Sequence, residues 1–474
     1  MGLNGASLKC VCLPLNQHAA GSPRTMGSVE ENIFAQVLEI MKPFDLSVEA
    51  YEKFCHTMYE TMSHGLQRST HAESSIKMYP TYVSKIPNGS ESGCYLALDL
   101  GGTNYRVLLV HLPGKKAPPK IEERTYAIPH SKMTGSGEQL FDYIANTLAD
   151  FVRGHDMGEA PCNLGFTFSF PCIQKGLTNA TLVRWTKGFK AVDVEGANVA
   201  LMLQNAIDKT GIKIKCVAVV NDTVGTLASC ALEDPKCAVG LIVGTGTNAA
   251  YIEKRERVEL MEEEGAPYVV INTEWGAFGE NGEFDDIRTQ FDKSVDAESL
   301  YPGKQVFEKM VSGMYLGEIV RHVLVHLVRE GLLFRGEMPE KLQIKDAVHT
   351  KYLTEAERDP PHLFYSTHYM LTEDLAVPIV EPLDDRIVRY VCEMVSKRAA
   401  YLAGSGIASL LRRMKRSEVT IGIDGSLYKF HPKFRERMTD IIDKLKPKNT
   451  YFRLRLSEDG SGKGAAAIAA ASCR

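Results

Sequence analysis

One short stretch, residues 96–107, most constrains what this chain can fold into. It reads Leu-Ala-Leu-Asp-Leu-Gly-Gly-Thr-Asn-Tyr-Arg-Val, so an apolar strand enters a tight turn and a second apolar strand leaves it. Gly101 and Gly102 have no Cβ, and the backbone N–H groups of a sharp turn can therefore approach an anion closely. The stretch predicts a phosphate-binding hairpin, with an ordinary glycine-turn hairpin as the alternative. Three further residues add side-chain donors: Thr103, Asn104 and Arg106.

The same plan recurs at residues 239–252, where apolar strands again flank a Gly/Thr turn. Two such hairpins favour two related lobes that face each other across a nucleotide. The second copy also matches the dinucleotide-binding pattern G-x-G-x-x-A through Gly244, Gly246 and Ala249. A dinucleotide loop opens a helix, whereas the residues after Ala249 continue as an apolar strand, so we discount that alternative.

Composition sets limits on the class of protein. The 474 residues are 44% hydrophobic and 24% charged, with a net charge of −4, which is typical of a globular protein of two or three domains. No sustained basic stripe indicates nucleic-acid binding, and no apolar run approaches the ~20 residues of a transmembrane segment. The 11 cysteines lack zinc-like spacing and predict reduced thiols of a cytoplasmic protein.

The element pattern predicts an α/β fold. From the first hairpin onward the order is β-β-β-α-β, and it begins again at the second hairpin, which indicates two lobes with mixed sheets flanked by helices. Ser28 and Glu31 form a capping box that predicts the start of the first helix. We divide the chain into a mobile N-terminal tail, N-terminal helices, a small lobe, a large lobe and a C-terminal helix: residues 1–27, 28–85, 86–220, 221–463 and 464–474.

Amphipathic periodicity in the second lobe predicts two long helices, at about residues 304–330 and 386–414. The Pro- and acid-rich stretch 355–361 predicts a surface loop. Residues 458–464 resemble a Walker loop at a glance. Lys463 is followed by Gly464 rather than Ser or Thr, so a P-loop is rejected. Nothing in the first 27 residues supports docking to an organelle surface.

Asp222 is the candidate for proton transfer. It follows Asn221 at the end of the apolar strand 216–220, and ligands bind at such edges of open sheets. A carboxylate there can accept the proton of an alcohol that attacks a phosphoryl group, while Asn221 orients the alcohol. From this residue alone, a helix N-cap is an equally good interpretation.

A polyol is the ligand that the remaining candidates suit, because their side chains offer many donors and acceptors. Each of them also has a structural interpretation, such as an exposed lysine or a solvated helix acid. Asp99 ends the first strand, where a carboxylate can orient a hydrated Mg²⁺. The polyol candidates are Ser169, Thr186, Lys187, Glu274 and Glu308.

Taken in order, these motifs resemble the signatures of the hexokinase family, in particular the animal hexokinases and glucokinases. The resemblance runs from about residue 30 onward, and a chain of 52.5 kDa accommodates one catalytic unit. The motifs that carry it are residues 98–106, 166–172, 185–189, 220–225, 244–248, 272–279, 302–310 and 456–464.

The resemblance implies an actin-like, ribonuclease H-like ATPase fold whose two lobes close on a sugar. It implies ATP-dependent phosphorylation of the 6-hydroxyl of D-glucose and related hexoses, with Asp222 as general base and Mg²⁺ entering as MgATP without a direct protein ligand. It implies hexose contacts from Ser169, Thr186, Lys187, Asn221, Asn248, Glu274, Gln305 and Glu308. It implies ATP and phosphate contacts from Asp99, Gly101, Gly102, Thr103, Asn104, Arg106, Gly244, Thr245, Gly425 and Ser426.

Further expectations concern partners. We expect a monomer or a weak homodimer, and inhibition by glucose 6-phosphate in competition with ATP, because the first hairpin can hold either phosphate. The alternative function is a sugar sensor that binds hexose without turnover. Asp222 discriminates between the two, because a sensor needs no base beside intact phosphate hairpins.

Overall fold

A computed structural model describes residues 23–102, 104–155, 161–262, 265–360 and 362–473. The strands are β1 (Tyr79–Pro80), β2 (Ser92–Leu100), β3 (Asn104–Pro113), β4 (Lys120–Ala127), β5 (Cys162–Phe168), β6 (Cys172–Gly176), β7 (Asn179–Leu182), β8 (Ile214–Val220), β9 (Cys237–Val243), β10 (Thr247–Lys254), β11 (Tyr268–Asn272), β12 (Glu418–Asp424) and β13 (Tyr451–Leu456). The α-helices are α1 (Pro23–Met41), α2 (Val48–Leu66), α3 (His130–Met133), α4 (Gly137–Arg153), α5 (Val199–Lys209), α6 (Asp222–Glu233), α7 (Gln290–Ala297), α8 (Val306–Val311), α9 (Leu316–Arg329), α10 (Thr350–Arg358), α11 (Tyr365–Tyr369), α12 (Pro382–Met414), α13 (Ser426–Phe430), α14 (Phe434–Leu445) and α15 (Gly460–Ser472).

Each lobe is built on a mixed sheet around one of the two predicted hairpins. The small-lobe sheet has the order β4-β3-β2-β5-β8, with β2 and β3 antiparallel and β5 parallel to β2. The large-lobe sheet has the order β1-β11-β10-β9-β12-β13, with β9 and β10 antiparallel and β12 parallel to β9. The α/β class with mixed sheets is therefore confirmed. Because β10 is a strand, the dinucleotide-loop alternative is wrong.

The two faces of the small-lobe sheet belong to different hydrophobic cores. Leu96, Leu98 and Leu164 pack with α4 and α5 in a core confined to this lobe. On the other face, Ala97 and Leu108 join a second core, which continues through α15 and α6 into the large lobe. Alternation of side chains along β2 and β3 thus lets one sheet serve both cores.

Several predicted boundaries differ from the structure. Helix α1 begins at Pro23, so Ser28 lies inside the helix and does not begin it; residues 1–22 lie outside the described part. The predicted loop 355–361 is helical up to Arg358, and α15 begins at Gly460 rather than at 464. The predicted helix 386–414 is confirmed within α12.

The predicted helix 304–330 is in fact two helices, α8 and α9, separated at residues 312–315. The break has a physical cause in the second hairpin. The Gly313 N–H donates to the Gly244 oxygen at 2.7 Å, and the Met314 N–H donates to the Thr245 oxygen at 3.2 Å. These donors hold the hairpin instead of continuing a helix. No helix in the described ranges is long and apolar enough to cross a membrane.

Candidate active site

Asp222 is the first residue of α6, directly after β8, at the junction between the two lobes. The cap of this helix is Asn221, whose Oδ1 accepts a hydrogen bond from the Thr223 N–H at 3.0 Å, so the N-cap interpretation of Asp222 is wrong. Burial raises the pKa of Asp222, and Asp99 raises it further, while Lys187 opposes both effects. A carboxylate whose pKa is raised accepts a proton more readily than an ordinary surface acid.

The small-lobe side of this cleft presents Ser169 and the turn of Thr186 and Lys187. The Lys187 ammonium donates to the Ser169 carbonyl oxygen at 3.0 Å. It lies close enough to stabilise the charged forms of Asp222, Glu274 and Glu308. The Ser169 hydroxyl is buried beside Asp222 and forms no hydrogen bond of good geometry with the described residues. A buried hydroxyl in this condition indicates a place for a polar ligand.

The large-lobe side is an amide and carboxylate network. Asn248 Nδ2 donates to Glu274 Oε1 at 3.2 Å, and Asn272 Nδ2 donates to the same oxygen at 2.7 Å. Burial raises the pKa of Glu274 to about 7, and the charges of Asp222 and Glu308 contribute to the rise, although the Asn272 hydrogen bond opposes it. At neutral pH this side chain can therefore exchange a proton when a ligand binds.

Glu308 reaches the site from α8 and contacts the second hairpin. Its Oε2 accepts a hydrogen bond from the Thr247 N–H at 3.0 Å. A Cβ at Gly246 would lie 2.5 Å from that oxygen, so the contact requires glycine there. Burial raises the pKa of Glu308, while the Thr247 N–H and Lys187 lower it.

Three of the predicted hexose residues have left-handed backbone conformations. The φ angles of Lys187, Glu274 and Gln305 are 54°, 52° and 53°. Such conformations cost a residue other than glycine about 1–3 kcal/mol and persist where the surrounding structure holds them, often at binding sites. Gln305 also lies directly over Gly276, whose added Cβ would be 2.4 Å from the Gln305 Oε1. This shared strain could not be read from the sequence.

The first hairpin ends in a cluster of charged groups. Arg106 donates to Asp99 Oδ2 and to Asp459 Oδ1, both at 2.8 Å, and the Ser461 hydroxyl donates to Asp99 Oδ2 at 2.7 Å. The hairpin turn itself stays open. A Cβ added at Gly102 would meet no atom within 4 Å, and one added at Gly101 would lie 3.7 Å from the Ser169 Oγ. Of the two other residues predicted here, Asn104 is exposed and Thr103 is outside the described part.

The second hairpin contacts the turn after β12. A Cβ at Gly425 would lie 2.3 Å from the Val243 oxygen, and its φ is 121°, so only glycine fits this close approach. Asp424 accepts a hydrogen bond from the Gly425 N–H at 2.7 Å, and burial raises the pKa of Asp424. Asp424 was not among the predicted residues, although it ends an apolar strand directly before a glycine.

Two cavities accompany the two predicted groups of ligand residues. One, of about 440 Å³, opens beside Gly244, Thr245 and Ser426. The other, of about 630 Å³, is lined in part by Glu274 and Gln305. Other residues that line the 440 Å³ cavity were not predicted, because most of them lie on helices and belong to no motif. They are Met314, Thr350, Lys351, Thr354, Leu427 and Phe430.

A group of possible metal ligands lies away from this cleft. Ligating atoms of Glu298, Glu318 and His322 come within 4.8 Å of one another. Arg321 already donates to both Glu318 carboxylate oxygens, at 3.0 and 2.9 Å, and forms an ion pair with Glu298 at 3.4 Å. Because the guanidinium neutralises these acids, we interpret the group as an ion-pair network.

Asp222, whose pKa is raised, lies between two Gly/Thr hairpins. A polar pocket is lined in part by Glu274 and Gln305, and a second cavity opens beside the turn of Gly244 and Thr245. This arrangement defines a small-molecule kinase of the two-lobed actin-like class. Two sequence models, both described as hexokinase, match residues 36–232 and 238–471. The chain therefore belongs to the hexokinase family.

Individual relatives agree with this assignment. The hexokinase of Schistosoma mansoni is 68% identical over 445 residues, which cover 94% of this chain and 99% of that protein. A solved structure of hexokinase from Schistosoma mansoni complexed with glucose superposes with a TM-score of 0.88 at 69% identity, covering 93% of this chain and 99% of that one. Human hexokinase-2 is 48% identical over 423 residues, 87% of this chain but only 45% of that protein, so this chain spans less than half of its length.

Proposed function

We propose that this protein transfers the γ-phosphoryl group of ATP to the 6-hydroxyl of D-glucose and related hexoses, the first step of glycolysis. The observation that carries the proposal is the convergence of Asp222, Lys187, Glu274 and Glu308 between the two phosphate hairpins. It is supported by the similarity to a hexokinase whose structure was solved with glucose. A sensor that only bound hexose would have no use for Asp222 at this position.

The hexose is held mainly by groups that need its hydroxyls as partners. The buried Ser169 hydroxyl and the Glu274 and Glu308 carboxylates take sugar hydroxyls, and Thr186, Lys187, Asn221, Asn248 and Gln305 complete the pocket. Asp222 takes the proton of the 6-hydroxyl as the hydroxyl attacks phosphorus. Contacts with the sugar hydroxyls drive closure of the lobes, and closure excludes water from the site. A water molecule makes too few of these contacts to drive the closure itself.

The nucleotide occupies the cavity beside Gly244, Thr245 and Ser426, and its phosphates lie against both hairpins. Residues 99–106, Gly425 and the α13 start form the phosphate side of this site. Mg²⁺ would enter this end of the cleft with the ATP phosphates, where Asp99 and Asp424 would orient its water ligands without binding the ion directly. When bound with ATP, the ion supplies neutralisation of phosphate charge.

The test is ATP-dependent formation of glucose 6-phosphate by the purified chain, with glucose binding followed in parallel. Intrinsic fluorescence reports binding, because the only 2 tryptophans are Trp185, which precedes Thr186, and Trp275, which follows Glu274. Turnover together with a glucose-dependent fluorescence change supports the proposal. Glucose binding without sugar phosphate formation under saturating MgATP contradicts it and favours the sensor.

Glucose affinity is expected to rise with pH between about 6 and 8. The pKa of Glu274 is about 7 in the free protein, and sugar hydroxyls that donate to its carboxylate stabilise the charged form. Binding therefore lowers this pKa and releases protons near neutrality. Calorimetry of glucose binding in buffers of different ionisation enthalpy measures the release. A Glu274→Gln variant should release fewer protons, and equal release from both proteins would contradict the assignment.

Replacing Gly246 by Ala is expected to raise the KM for glucose by about tenfold, as for loss of a buried charge-assisted hydrogen bond. The new Cβ would meet Glu308 Oε2 at 2.5 Å and displace this carboxylate from the Thr247 N–H. Steady-state kinetics with varied glucose measure the change. Gly265→Ala is the control, because its Cβ would meet no atom within 4 Å. An unchanged KM in Gly246→Ala would remove Glu308 from the hexose site.

The remaining proposals concern location and control. The protein acts in the cytoplasm as a monomer or weak homodimer. Glucose 6-phosphate inhibits it by taking the place of an ATP phosphate at the hairpin that contains Asp99 and Arg106, so its inhibition is competitive with ATP. Inhibition kinetics with varied ATP test this proposal, and a purely noncompetitive pattern would contradict it.

A further inference from the structure

We propose that Glu280 is a positioning residue that fixes Gln305 in the hexose pocket, an inference that rests on the proposed function. Glu280 lies outside every motif to which the sequence assigned a role. Its two carboxylate oxygens have separate partners on one neighbouring segment. Oε1 accepts a hydrogen bond from the Gln305 N–H at 2.9 Å, and Oε2 accepts one from the Lys304 ammonium at 2.8 Å.

In this contact the Glu280 carboxylate is shielded from solvent, whereas the Lys304 ammonium is not. The Glu280 side chain is 13% exposed, whereas that of Lys304 is 53% exposed. Glu280 is thus the fixed member of the pair, and Lys304 covers it from the solvent side. A charge-assisted hydrogen bond to a backbone N–H in such a setting is stronger and more directional than one at the open surface.

The strained backbone conformation of Gln305 needs a hydrogen-bond partner from another segment to hold it. Its φ and ψ are 53° and 45°, a left-handed conformation that no glycine relieves here, and it stands immediately before α8. The backbone carbonyl oxygen of Gln305 accepts the first hydrogen bond of that helix, from the Lys309 N–H at 3.1 Å. Fixing Gln305 therefore also fixes the start of the helix that carries Glu308.

Glu280 also stands close in sequence to Glu274, the other hexose carboxylate. The Glu280 N–H donates to the Ala277 oxygen at 3.2 Å, which continues the turn that begins after Glu274. The neighbouring Phe307 N–H donates to the Phe278 oxygen at 3.0 Å. Glu280 consequently joins the turn that carries one hexose carboxylate to the helix that carries the other.

The experiment compares glucose kinetics and glucose binding of the wild type and Glu280→Gln. The glucose KM and the Kd from tryptophan fluorescence are expected to rise about three- to tenfold, because the glutamine amide still accepts from the Gln305 N–H but lacks the charge that strengthens this hydrogen bond. The kcat at saturating glucose and the KM for ATP should stay within about threefold, because Gln305 holds the sugar equally in the ground and transition states. A purely structural role would lower thermal stability and leave the glucose Kd unchanged.

Glu283→Gln is the matched control in the same turn. Glu283 accepts hydrogen bonds from the Asn281 N–H at 3.0 Å and from the Ser75 hydroxyl, and neither partner is a proposed hexose residue. Its glucose KM and Kd should match the wild type. An equal rise in both variants, or a Glu280→Gln variant whose Kd stays within about twofold of the wild type, overturns the proposal.

Lys304→Met provides the second variant if Glu280→Gln does not fold. It removes only the outer half of the contact, so a rise of about two- to fivefold in the glucose Kd is expected, in line with a partly exposed ion pair. An unchanged Kd in this variant would contradict the role assigned to the pair. A wild type that binds glucose but has no turnover refutes the proposed function, whereas the binding data still test the role of Glu280.

Discussion

Replacing Asp222 by Asn is expected to lower kcat by about 100- to 10,000-fold, the contribution of a positioned general base. The amide keeps the shape of the carboxylate and its hydrogen bond to the Thr223 N–H but cannot take the proton of the 6-hydroxyl. Glucose binding should change little, because the Glu274 and Glu308 carboxylates and the Ser169 hydroxyl remain in place. Initial rates of glucose 6-phosphate formation, with the fluorescence Kd for glucose, measure both effects.

The pH profile distinguishes a base from a residue that only shapes the pocket. Burial, together with the nearby Asp99 charge, raises the pKa of Asp222, so kcat of the wild type should fall as the pH falls through this raised pKa. The residual rate of Asp222→Asn should lose that limb. Asp150→Asn is the control, because Asp150 is exposed on α4 and its ion-pair partner there is Arg153. A kcat of Asp222→Asn within about tenfold of the wild type would contradict the role of Asp222.

Replacing Gly464 by Ala is expected to destabilise the protein by about 3 kcal/mol or more, as for severe overpacking against backbone. A Cβ at Gly464 would lie 1.8 Å from the Gly225 oxygen, where α15 crosses α6. The gain in helix propensity, about 1 kcal/mol for Gly to Ala, is too small to offset this clash. Thermal and urea unfolding measure the loss, and activity should fall as well, because α6 begins with Asp222.

Gly462→Ala tests whether the effect arises from the crossing or from the helix in general. Its Cβ would approach the Leu108 side chain, with Cδ1 at 2.8 Å, and a flexible side chain can move where the Gly225 backbone cannot. The unfolding temperature of this variant should therefore lie near that of the wild type. An unchanged unfolding temperature of Gly464→Ala would contradict the close packing of α15 against the α6 backbone.

The residues that could be predicted from sequence are those whose local pattern has one physical explanation. Two Gly/Thr turns between apolar strands fold as antiparallel hairpins in both sheets. Asp222 is a candidate on sequence alone because it directly follows a buried strand, although the choice between chemistry and capping needed the structure. Asn221 is the N-cap residue of α6, and Asp222 uses only Oδ1 in its own hydrogen bond to the Thr223 N–H.

What could not be predicted depends on contacts between segments distant in sequence. The break between α8 and α9 arises because the N–H groups of Gly313 and Met314 hydrogen bond to the second hairpin, so periodicity alone predicts one helix. Glu280 directly follows the motif 272–279 but is no part of it, and the proposed positioning role rests on its contact with the Gln305 N–H. The sequence predicted the start of the first helix at Ser28, because Ser28 and Glu31 match a capping box. Helix α1 in fact begins earlier, at Pro23.

The placement of α15 has a consequence for how this chain acquires its structure during synthesis. Residues Gly460–Ser472 cover the face of the small-lobe sheet that is formed by β2 and β5, although those strands are made several hundred residues earlier. The apolar face of that early sheet stays uncovered until the late segment has left the ribosome. Because such long-range closure is slow and leaves aggregation-prone surface exposed, we expect nascent chains to depend on chaperones until α15 docks.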